Sequence, residues 1–292
     1  MQLAGIELRY LVNDIGQKTE DYYVANIYGI SKNSLLFKFR HPENPDVLLM
    51  LSTSGIWVTK VKIDQIEPNK LLRRLRSDLL RSKLKEIKQI GTERVVYLTF
   101  SNFEKEFVIV NELFADGNVI LCNSEMKILA LLYSVNVRHR QLRVGSPYVP
   151  PPQNNFDILK MTETDLGEVR FTSTPVAKWI GRTLGLPRKY VEEITRLSNV
   201  ESKKSGTEIS NEEIKSLFDN ATKVINNVVN GQHDPVISRD EEINVHPIPL
   251  GEKNLEKISS FMEGLDTAFT ENILNKGKTT KVISPSNSFL VF

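Results

Sequence analysis

Cysteine is almost absent from this chain of 292 residues, in which Cys122 is alone. A single cysteine excludes an internal disulfide bond, which is typical of proteins that work in a reducing cytosol. Long hydrophobic runs are missing too, since no uninterrupted apolar run reaches the roughly 18 residues of a membrane span. Glu7 and Arg9 interrupt the N-terminal segment before the apolar run of a signal peptide could form. We therefore expect a cytoplasmic protein with no membrane partner.

Signatures of common enzyme and cofactor sites are missing as well. The sequence contains no G-x-S-x-G, no P-loop and no G-x-G-x-x-G. Its 4 histidines are widely separated, and none has a second ligand at metal-binding spacing. We therefore expect no metal and no cofactor.

The pattern of residues 1–152 predicts one mixed α+β domain. Apolar residues at helical spacing predict a first helix over 6–16 that ends at Gly16. Strand-like runs follow, among them VLLMLSTSGIWVT and a meander in which the pair Asp116-Gly117 predicts a hairpin with both residues at positive φ. The sheet should be mixed and mostly antiparallel. Pro150 to Pro152 then enforce an extended exit from the domain.

Helical periodicity dominates from 170 to 232 and predicts a second, helical domain. A tight turn at Gly185 between two amphipathic segments predicts a helix-hairpin-helix arrangement. Ser210, with Glu213 three residues later, predicts a capping box at the start of a further helix. From 233 to 292 the sequence is polar and punctuated by proline, which predicts a return segment and a tail with one short helix.

A basic segment runs from Lys70 to Arg94, where the chain carries nine basic residues against three acidic ones. A helix is predicted over 69–81, and at about 100° per residue its leucines share one side while its arginines occupy the other. Repulsion among like charges is unrelieved unless an anionic partner binds, so phosphate binding and a merely solvated face are both consistent with the pattern. The basic face that we predict for RNA consists of Arg73, Arg74, Arg76, Arg81, Lys83 and Lys85.

Two further clusters could extend this positive field. The turn at Gly185 leaves free N–H groups at the start of the next helix, which suits a phosphate, and Arg188 and Lys189 lie beside it. A helical hairpin with a purely structural role gives the same pattern. The second cluster, at a strand end that we expect on the surface, consists of Arg138, His139, Arg140 and Arg143.

Several stretches, taken in order, resemble the N-terminal part of the NFACT family. They are GIELRYLVNDI, YYVANIYGI, LSTSGIWV, LLRRLRSDLLRSKLKEIKQIGTERVV, NELFADGNVILCN, RVGSPYVPPP, LGLPRKYVEEI and HPIPL. The resemblance implies a role in ribosome-associated quality control. Its partners would be a large ribosomal subunit that holds a stalled peptidyl-tRNA, and tRNA recruited for C-terminal tailing without a message. The ribosome would make the peptide bond, so the resemblance implies a protein that is not itself an enzyme and has no catalytic residue.

The resemblance also implies a tRNA site. Family members carry an aspartate in the first helix and an Asp-Arg pair after the basic helix, and the matching positions here are Glu7 and Glu93-Arg94. Both positions hold glutamate here instead of aspartate, which keeps the charge and lengthens the side chain by one methylene. With Arg9, these residues form the expected tRNA site, where carboxylates accept from base edges or 2′-hydroxyls and arginine binds phosphate. Spatial closeness of Glu7 and Glu93 would favour this hypothesis.

Two alternatives follow from the same resemblance. The N-terminal module of the family is similar to the N-terminal domain of formamidopyrimidine-DNA glycosylases, but this chain begins Met1-Gln2-Leu3 and lacks their proline nucleophile with its neighbouring glutamate. Bacterial relatives have been described as fibronectin-binding, so the second alternative is a surface adhesin. The missing secretory signal disfavours it. The long coiled-coil arm of the family is not expected here, because no heptads follow.

Overall fold

The computed structural model describes residues 2–61, 63, 65, 70–103, 105–138, 140–154, 156–239, 243–251 and 254–276. The α-helices are α1 (Gly5–Thr19), α2 (Leu72–Leu79), α3 (Glu163–Gly167), α4 (Val176–Leu184), α5 (Arg188–Leu197), α6 (Asn211–Val229) and α7 (Phe261–Lys276). The strands of the first half are β1 (Tyr23–Ser31), β2 (Ser34–Arg40), β3 (Val47–Ser52), β4 (Ile56–Thr59), β5 (Lys83–Gln89), β6 (Val95–Asn102), β7 (Lys105–Glu112), β8 (Asn118–Asn123) and β9 (Ile128–Leu131). They are followed by β10 (Val135–Val137), β11 (Arg140–Leu142), β12 (Val236–Arg239), β13 (Ile243–His246) and β14 (Leu255–Lys257).

The chain forms two compact units, and each is discontinuous in sequence. The helical unit comprises Met1–Val12, Gln89–Arg94 and Pro150–Gly264. The sheet unit comprises Asn13–Lys88, Val95–Val149 and Leu265–Phe292. These units cut across the linear boundaries expected at 1–152, 170–232 and 233–292.

The sheet unit is built on one nine-stranded sheet with the order β4-β3-β2-β1-β5-β6-β7-β8-β9. Two meanders, β1 to β4 and β5 to β9, meet where β1 pairs with β5 through Tyr23 and Lys83. Every pairing with a described register in this sheet is antiparallel. The expectation of an α+β protein with a large, mostly antiparallel sheet is therefore confirmed.

Apolar runs explain why these strands lie in the interior. In β8 five consecutive residues are buried, which requires cover on both faces of the sheet. The rings of Phe37, Phe39 and Phe100 stack with centroids 6.0 to 6.4 Å apart, and each buried ring contributes about 1.5–3 kcal/mol of transfer free energy. The leucines of α2 are also buried, as its periodicity predicts.

Two helix boundaries differ from the sequence prediction. α1 continues through Gly16 to Thr19, because this glycine marks a close approach and not a cap: a Cβ added to it would lie 3.0 Å from Ile87 Cγ2. α2 is shorter than predicted and ends at Leu79, and Arg81 already has a φ of 67° at the turn into β5. Residue 69, where this helix was expected to begin, lies outside the described residues.

Turn chemistry separates strands that the sequence pattern joined. The run VLLMLSTSGIWVT forms both β3 and β4, because Ser52 Oγ accepts the N–H groups of Ser54 and Gly55 and turns the chain. The hairpin expected at Asp116-Gly117 is present between β7 and β8. Positive φ occurs at Ala115 (50°) and Gly117 (71°), so Asp116 does not take the predicted conformation.

The helical unit packs α3 to α6 around a single apolar cluster that includes Ile180, Tyr190 and Ile225. Ala4 and Ile6 join this cluster, which explains why the start of the chain groups with the helices. The capping box at α6 is confirmed, because the Glu213 N–H donates to the Ser210 side chain and the Ser210 N–H donates back to Glu213.

A three-stranded sheet lies in the segment from 233 onwards, where no strand was expected. Its order is β13-β12-β14, and both pairings are antiparallel. Val236, Ile237 and Val245 bury their side chains. Strands of three or four residues are too short for a period of two to stand out against polar neighbours.

Two glycines with positive φ provide a test of the sheet unit. At Gly117 an added Cβ would lie 2.5 Å from the Thr53 carbonyl oxygen. At Gly145, with a φ of 88°, an added Cβ would have no atom of the described residues within 4 Å other than those of the glycine and its two chain neighbours. We expect Gly145→Ala to lower the free energy of unfolding by about 1 kcal/mol through backbone strain alone. Gly117→Ala should lower it by at least about 2 kcal/mol more, because overpacking is added to the strain. Urea unfolding followed by tryptophan fluorescence measures both variants, and equal losses would contradict the packing described here.

Candidate functional site

The carboxylate of Glu7 is buried at the centre of the helical unit, and the residue is 0% exposed. Its Oε1 accepts hydrogen bonds from Lys189 Nζ at 2.6 Å and from the Tyr190 hydroxyl at 2.7 Å. Its Oε2 accepts the backbone N–H of Ala4 at 2.7 Å. A buried charge is tolerated only when it is paired and hydrogen-bonded, and this carboxylate meets both conditions.

Tyr190 and Lys189 respond to this carboxylate in different ways. Burial, reinforced by the negative charge of Glu7, raises the pKa of the Tyr190 hydroxyl well above its usual value, so the phenol remains a donor. The Lys189 side chain is 22% exposed, and its ammonium forms an ion pair with Glu7. His246 Nδ1 lies 3.5 Å from the same nitrogen. The start of α5 is thereby fixed to the start of α1.

Burial changes what two of the expected contact residues can do. Direct contact between Glu7 and tRNA is not compatible with complete burial, because the carboxylate already bonds three donors of the protein. Lys189, which was expected beside a phosphate, gives its ammonium to Glu7. Both residues therefore position the helix and are not available as primary ligands.

A second set of contacts fixes the turn before β6 beside the start of α1. Gln89 Nε2 donates to the carbonyl of Gly5 at 2.9 Å and to that of Glu93 at 2.7 Å. A Cβ on Gly5 would lie 1.8 Å from the Thr92 carbonyl oxygen, so only glycine fits between the two segments. The turn that carries Glu93 thus contacts the first residue of the helix that carries Glu7.

An open cavity of about 520 Å³ lies in the helical unit and includes this turn in its wall. Further wall segments are the start of the chain, the stretch after Pro152 and the turn between α4 and α5. The polar and charged side chains among its lining residues are those of Gln2, Thr92, Glu93, Arg94, Asn154 and Arg182. Arg9 lies beside the turn and not in the cavity wall, and its Nη1 donates to the Gln89 carbonyl at 3.4 Å.

Arg94 is the half-buried cation of this cavity. Burial lowers the pKa of its guanidinium, and the nearby Glu93 carboxylate opposes that shift. A guanidinium carries five N–H donors, yet no described residue accepts a hydrogen bond from this one. Arg182, which is exposed, also has no acceptor within the described part of the chain. Because unpaired donors in a partly dry site are costly, the cavity is suited to a ligand that brings acceptors.

Asn154 joins the cavity walls to each other. Its backbone N–H donates to Glu93 Oε1 at 2.7 Å, and its Nδ2 donates to the carbonyl of Thr183 at 3.1 Å in the last turn of α4. The tight turn expected at Gly185 is present, since this residue ends α4 with a φ of 64°. Pro187 then precedes α5.

Because Glu93 Oε1 accepts the Asn154 N–H, one carboxylate oxygen of Glu93 is already hydrogen-bonded within the protein.

Arg188 is the first residue of α5, where the helix itself offers no acceptor for the backbone N–H. Its side chain is 89% exposed and pairs with Glu192 at 2.6 Å along the same helix. The backbone of this first turn, together with the Gly185 turn, is thus the part of the hairpin that can meet an anion.

The six residues of the predicted basic face do not share one surface. On α2, Arg74 pairs with Asp78 at 2.5 Å, and Arg76 Nε donates to the Ile27 carbonyl at 2.7 Å. Arg76 is therefore half-buried on the sheet side, and Arg73 stays exposed.

The other three residues follow the end of α2, so they lie on a turn and a strand whose side chains alternate with a period of two. Arg81 is exposed at the turn, Lys83 pairs with Asp21, and Lys85 is exposed on β5. Arg73, Arg81 and Lys85 remain as exposed cations with no ion pair among the described residues.

Arg140 departs furthest from its expected place on the surface. Its side chain is 10% exposed and forms a two-pronged ion pair with Glu112, which is itself buried. The acid partner lies 28 positions away in sequence, so local composition does not reveal the pair. His139, from the same cluster, lies outside the described residues.

Arg182 and Asn154 are among the cavity residues that the sequence did not single out. Arg182 lies three positions before Gly185 on the turn-facing end of α4, and this spacing is a signal that helical periodicity could have supplied. Asn154 follows three prolines in an irregular stretch and gives no signal. No group of three or more metal-ligating side chains occurs within the described ranges, and no helix there combines the length and apolar character needed to cross a membrane.

Comparison with known proteins identifies the family. The sequence profile described as NFACT N-terminal and middle domains matches residues 4–281, so the chain belongs to the NFACT family. The archaeal Rqc2 homolog aRqcH of Methanocaldococcus jannaschii is 28% identical over 279 residues, which is 91% of this chain and 40% of that protein. Ribosome quality control complex subunit 2 of Saccharomyces cerevisiae is 27% identical over 201 residues, 66% of this chain and 19% of that protein.

Two solved structures share the fold. The N-terminal part of the fibronectin/fibrinogen-binding protein of Streptococcus suis matches with a TM-score of 0.71 and 18% identity, over 92% of this chain and 100% of that one. The fibrinogen binding protein of Staphylococcus aureus matches with a TM-score of 0.72 and 16% identity, over 90% and 97%. The chain thus spans nearly all of these structures but less than half the length of its curated relatives.

The Glu7 network makes a specific prediction for stability. Glu7→Gln removes the carboxylate that pairs with Lys189, and breaking a buried ion pair costs about 3–5 kcal/mol. Because Lys189 is 22% exposed and regains some hydration, we expect a loss of about 2–4 kcal/mol in urea unfolding. Asp14→Asn, which removes the surface partner of Lys18 in the same helix, should cost less than about 0.5 kcal/mol.

A double-mutant cycle with Lys189→Met isolates the pair. Adding Lys189→Met to Glu7→Gln should cost at least about 1 kcal/mol less than adding it to the native protein. Strictly additive losses would show that Glu7 stabilises the fold through its other two donors and not through Lys189.

Proposed function

We propose that this chain is an RNA-binding component of ribosome-associated quality control. Its family and the names of its relatives support that role. In this proposal it binds the large ribosomal subunit that holds a stalled peptidyl-tRNA and recruits tRNA for template-free C-terminal tailing. The ribosome makes the peptide bonds, so the protein acts in the cytoplasm by positioning RNA, without enzymatic chemistry of its own and without a cofactor.

The observation that carries the proposal is the guanidinium of Arg94. It is half-buried in the cavity wall, burial lowers its pKa, and no described residue accepts from it. RNA supplies the missing acceptors as phosphate oxygens, 2′-hydroxyls and base edges. The planar guanidinium binds phosphate with two parallel hydrogen bonds, which a lysine at this position could not reproduce.

The α4–α5 turn gives the same cavity a second contact for RNA. Gly185 and Arg182 line it, and the backbone of the first turn of α5 offers N–H groups. A helix start of this kind favours a phosphate through its unsatisfied donors and its dipole. The two helices then act as a helix-hairpin-helix that holds the RNA backbone, while Arg188 adds charge from the surface.

Glu93 has a divided role in this proposal. Its Oε1 holds the Asn154 backbone and keeps the cavity walls together. Its other oxygen accepts from a base edge or a 2′-hydroxyl. Arg9 supports the turn through Gln89, and Glu7 acts from the interior by fixing the start of α5.

The exposed cations of the sheet unit contribute in a less specific way. Arg73, Arg81 and Lys85 are free to meet phosphates, whereas Arg74, Arg76 and Lys83 have protein partners. Such surface cations raise affinity by counterion release without selecting a sequence. The likeness to the fibrinogen-binding proteins, at 16–18% identity, concerns the fold and carries no ligand to this chain.

Arg94→Gln tests the cavity directly. Because hydrogen bonds to a charged group contribute about 1.5–3 kcal/mol, the variant should bind tRNA at least about ten-fold more weakly in a filter-binding titration. Its unfolding midpoint should stay unchanged, since no described residue bonds the guanidinium. Lys215→Gln removes the same charge from an exposed site on α6 of the same unit and should retain the native affinity.

Equal binding by the native protein and Arg94→Gln would remove the cavity from the proposal. A large loss of stability in Arg94→Gln would assign the arginine a structural role instead. Native binding should also weaken as salt rises, and the variant should have a shallower slope on a log–log plot by about 0.7–0.9, because one phosphate contact is lost.

Co-sedimentation with purified large ribosomal subunits tests the wider role. We expect the protein to co-sediment more with subunits that hold peptidyl-tRNA than with empty subunits, because tRNA adds contacts at the cavity. Arg94→Gln should abolish most of that difference while leaving the binding to empty subunits. Equal recovery with both kinds of subunit would contradict a role that depends on the stalled complex.

A further inference from the structure

A long segment of the sheet unit contains no acidic residue. From Lys127 to Val149 the sequence has neither Asp nor Glu, but it includes Arg138, Arg140 and Arg143. Charged residues of both signs are mixed in the chain as a whole, whose net charge is only +2. The paired strands β10 and β11 lie in the middle of this segment and form a separate two-stranded ribbon.

A buried ion pair anchors the ribbon at its turn end, where Arg140 pairs with Val137. Arg140 forms two hydrogen bonds with Glu112, and the hydroxyl of Tyr148 donates to the same carboxylate at 2.8 Å. The Arg140 guanidinium also lies 5.7 Å from the Phe114 ring centroid and 5.5 Å from that of Tyr148. Its Nε donates to the Val149 carbonyl at 2.7 Å. This arginine is fully engaged by the protein, so it fixes the ribbon and is not part of any outer surface.

The two faces of the ribbon differ sharply in character. Val135, Val137 and Arg140 lie on the face that includes the fully buried Leu142, because residues paired across antiparallel strands share a face and so do alternate residues of one strand. The opposite face carries Asn136 and Gln141, which are paired with each other and exposed.

Two arginines flank this amide pair. Arg138 follows β10 and Arg143 follows β11, and both side chains are exposed. No carboxylate among the described residues lies within ion-pair distance of either guanidinium. Val144, beside Arg143, is 64% exposed. The ribbon thus presents two unpaired cations and two amides on a rigid support.

We propose that the outer face of the β10–β11 ribbon is a second RNA-contact surface, which lies against the backbone of double-stranded RNA. The partner class rests on the proposed function, but the surface belongs to the sheet unit and shares no residue with the cavity of the helical unit. Arg138 and Arg143 bind phosphates, while Asn136 and Gln141 each donate and accept as a 2′-hydroxyl requires.

Shape and charge favour an RNA duplex over an acidic protein. A-form RNA has a wide, shallow minor groove that displays 2′-hydroxyls between two lines of phosphates. A narrow ribbon with amides at its middle and arginines at its ends matches that order of groups. An acidic peptide would use the arginines but leave the amide pair without a defined partner.

The test compares Arg138→Gln/Arg143→Gln with the native protein in fluorescence anisotropy with a labelled, blunt-ended RNA duplex. We expect about ten-fold weaker binding and a log–log salt slope shallower by about 1.8, since two phosphate contacts are lost at about 0.9 each. Arg40→Gln/Lys105→Gln, which removes two exposed charges from the same unit, should change neither quantity appreciably. Unfolding midpoints should be equal in all three proteins. Unchanged duplex binding by the ribbon variant would overturn the proposal.

Two further binding measurements distinguish an RNA surface from a surface for a different anion. Asn136→Leu/Gln141→Leu should reduce the preference for RNA over a DNA duplex of the same sequence, and an unchanged preference would overturn the assignment of the amides. Vesicles rich in anionic lipid and an acidic peptide serve as competing probes. If the arginine variant loses affinity for either of these but not for the RNA duplex, the ribbon is not an RNA surface.

The tRNA-binding and duplex-binding measurements together distinguish failure of this proposal from failure of the proposed function. If Arg94→Gln weakens tRNA binding and the ribbon variant binds the duplex normally, the cavity is supported as an RNA site and the ribbon is rejected. If the ribbon variant loses duplex binding while Arg94→Gln binds tRNA normally, the ribbon is supported as an RNA site and the cavity is rejected.

Discussion

The buried carboxylate of Glu7 is the interaction on which the candidate site depends. Its three donors belong to the start of α1 and the start of α5, so one side chain joins segments that are more than 180 positions apart. The residue must be acidic, because the ammonium of Lys189 would otherwise have no counter-charge in a largely dry environment. The turn before β6 is tied to the same helix start through Gln89. The cavity therefore has walls that are held from inside the protein.

This arrangement separates two roles that the sequence could not tell apart. Glu7 and Glu93 are both acids that were expected in one tRNA site, yet one is entirely buried and the other lines the cavity. The longer side chain of Glu93 reaches the Asn154 backbone. Arg94 is the member of the group whose donors have no acceptor among the described residues, and that makes it the centre of the proposed function.

Local patterns predicted the parts of the fold that depend on local physics. The strands with continuous apolar runs, the leucine side of α2, the turn at Gly185 and the capping box at Ser210 all follow from neighbours in sequence. Errors arose where tertiary contacts decided the outcome. Gly16 permits a close approach of α1 to Ile87, and Arg140 finds Glu112 across the sheet unit. The basic face was overextended because α2 ends early and strand geometry replaces helix geometry after it.

The distribution of charge, and not its total, determines which surfaces can meet RNA. Of the cations predicted to meet RNA, Arg74, Lys83 and Arg140 have ion-pair partners. Those without an ion pair among the described residues lie at the cavity, on α2 and the turn and strand that follow it, and at the ribbon. Site-resolved crosslinking tests this account most directly. A tRNA that carries photoreactive nucleotides would be crosslinked to the protein on large ribosomal subunits, and the crosslinked peptides identified by mass spectrometry. We expect crosslinks in the peptides that contain Arg94 and Arg182. Efficient crosslinking that spares both peptides would contradict it.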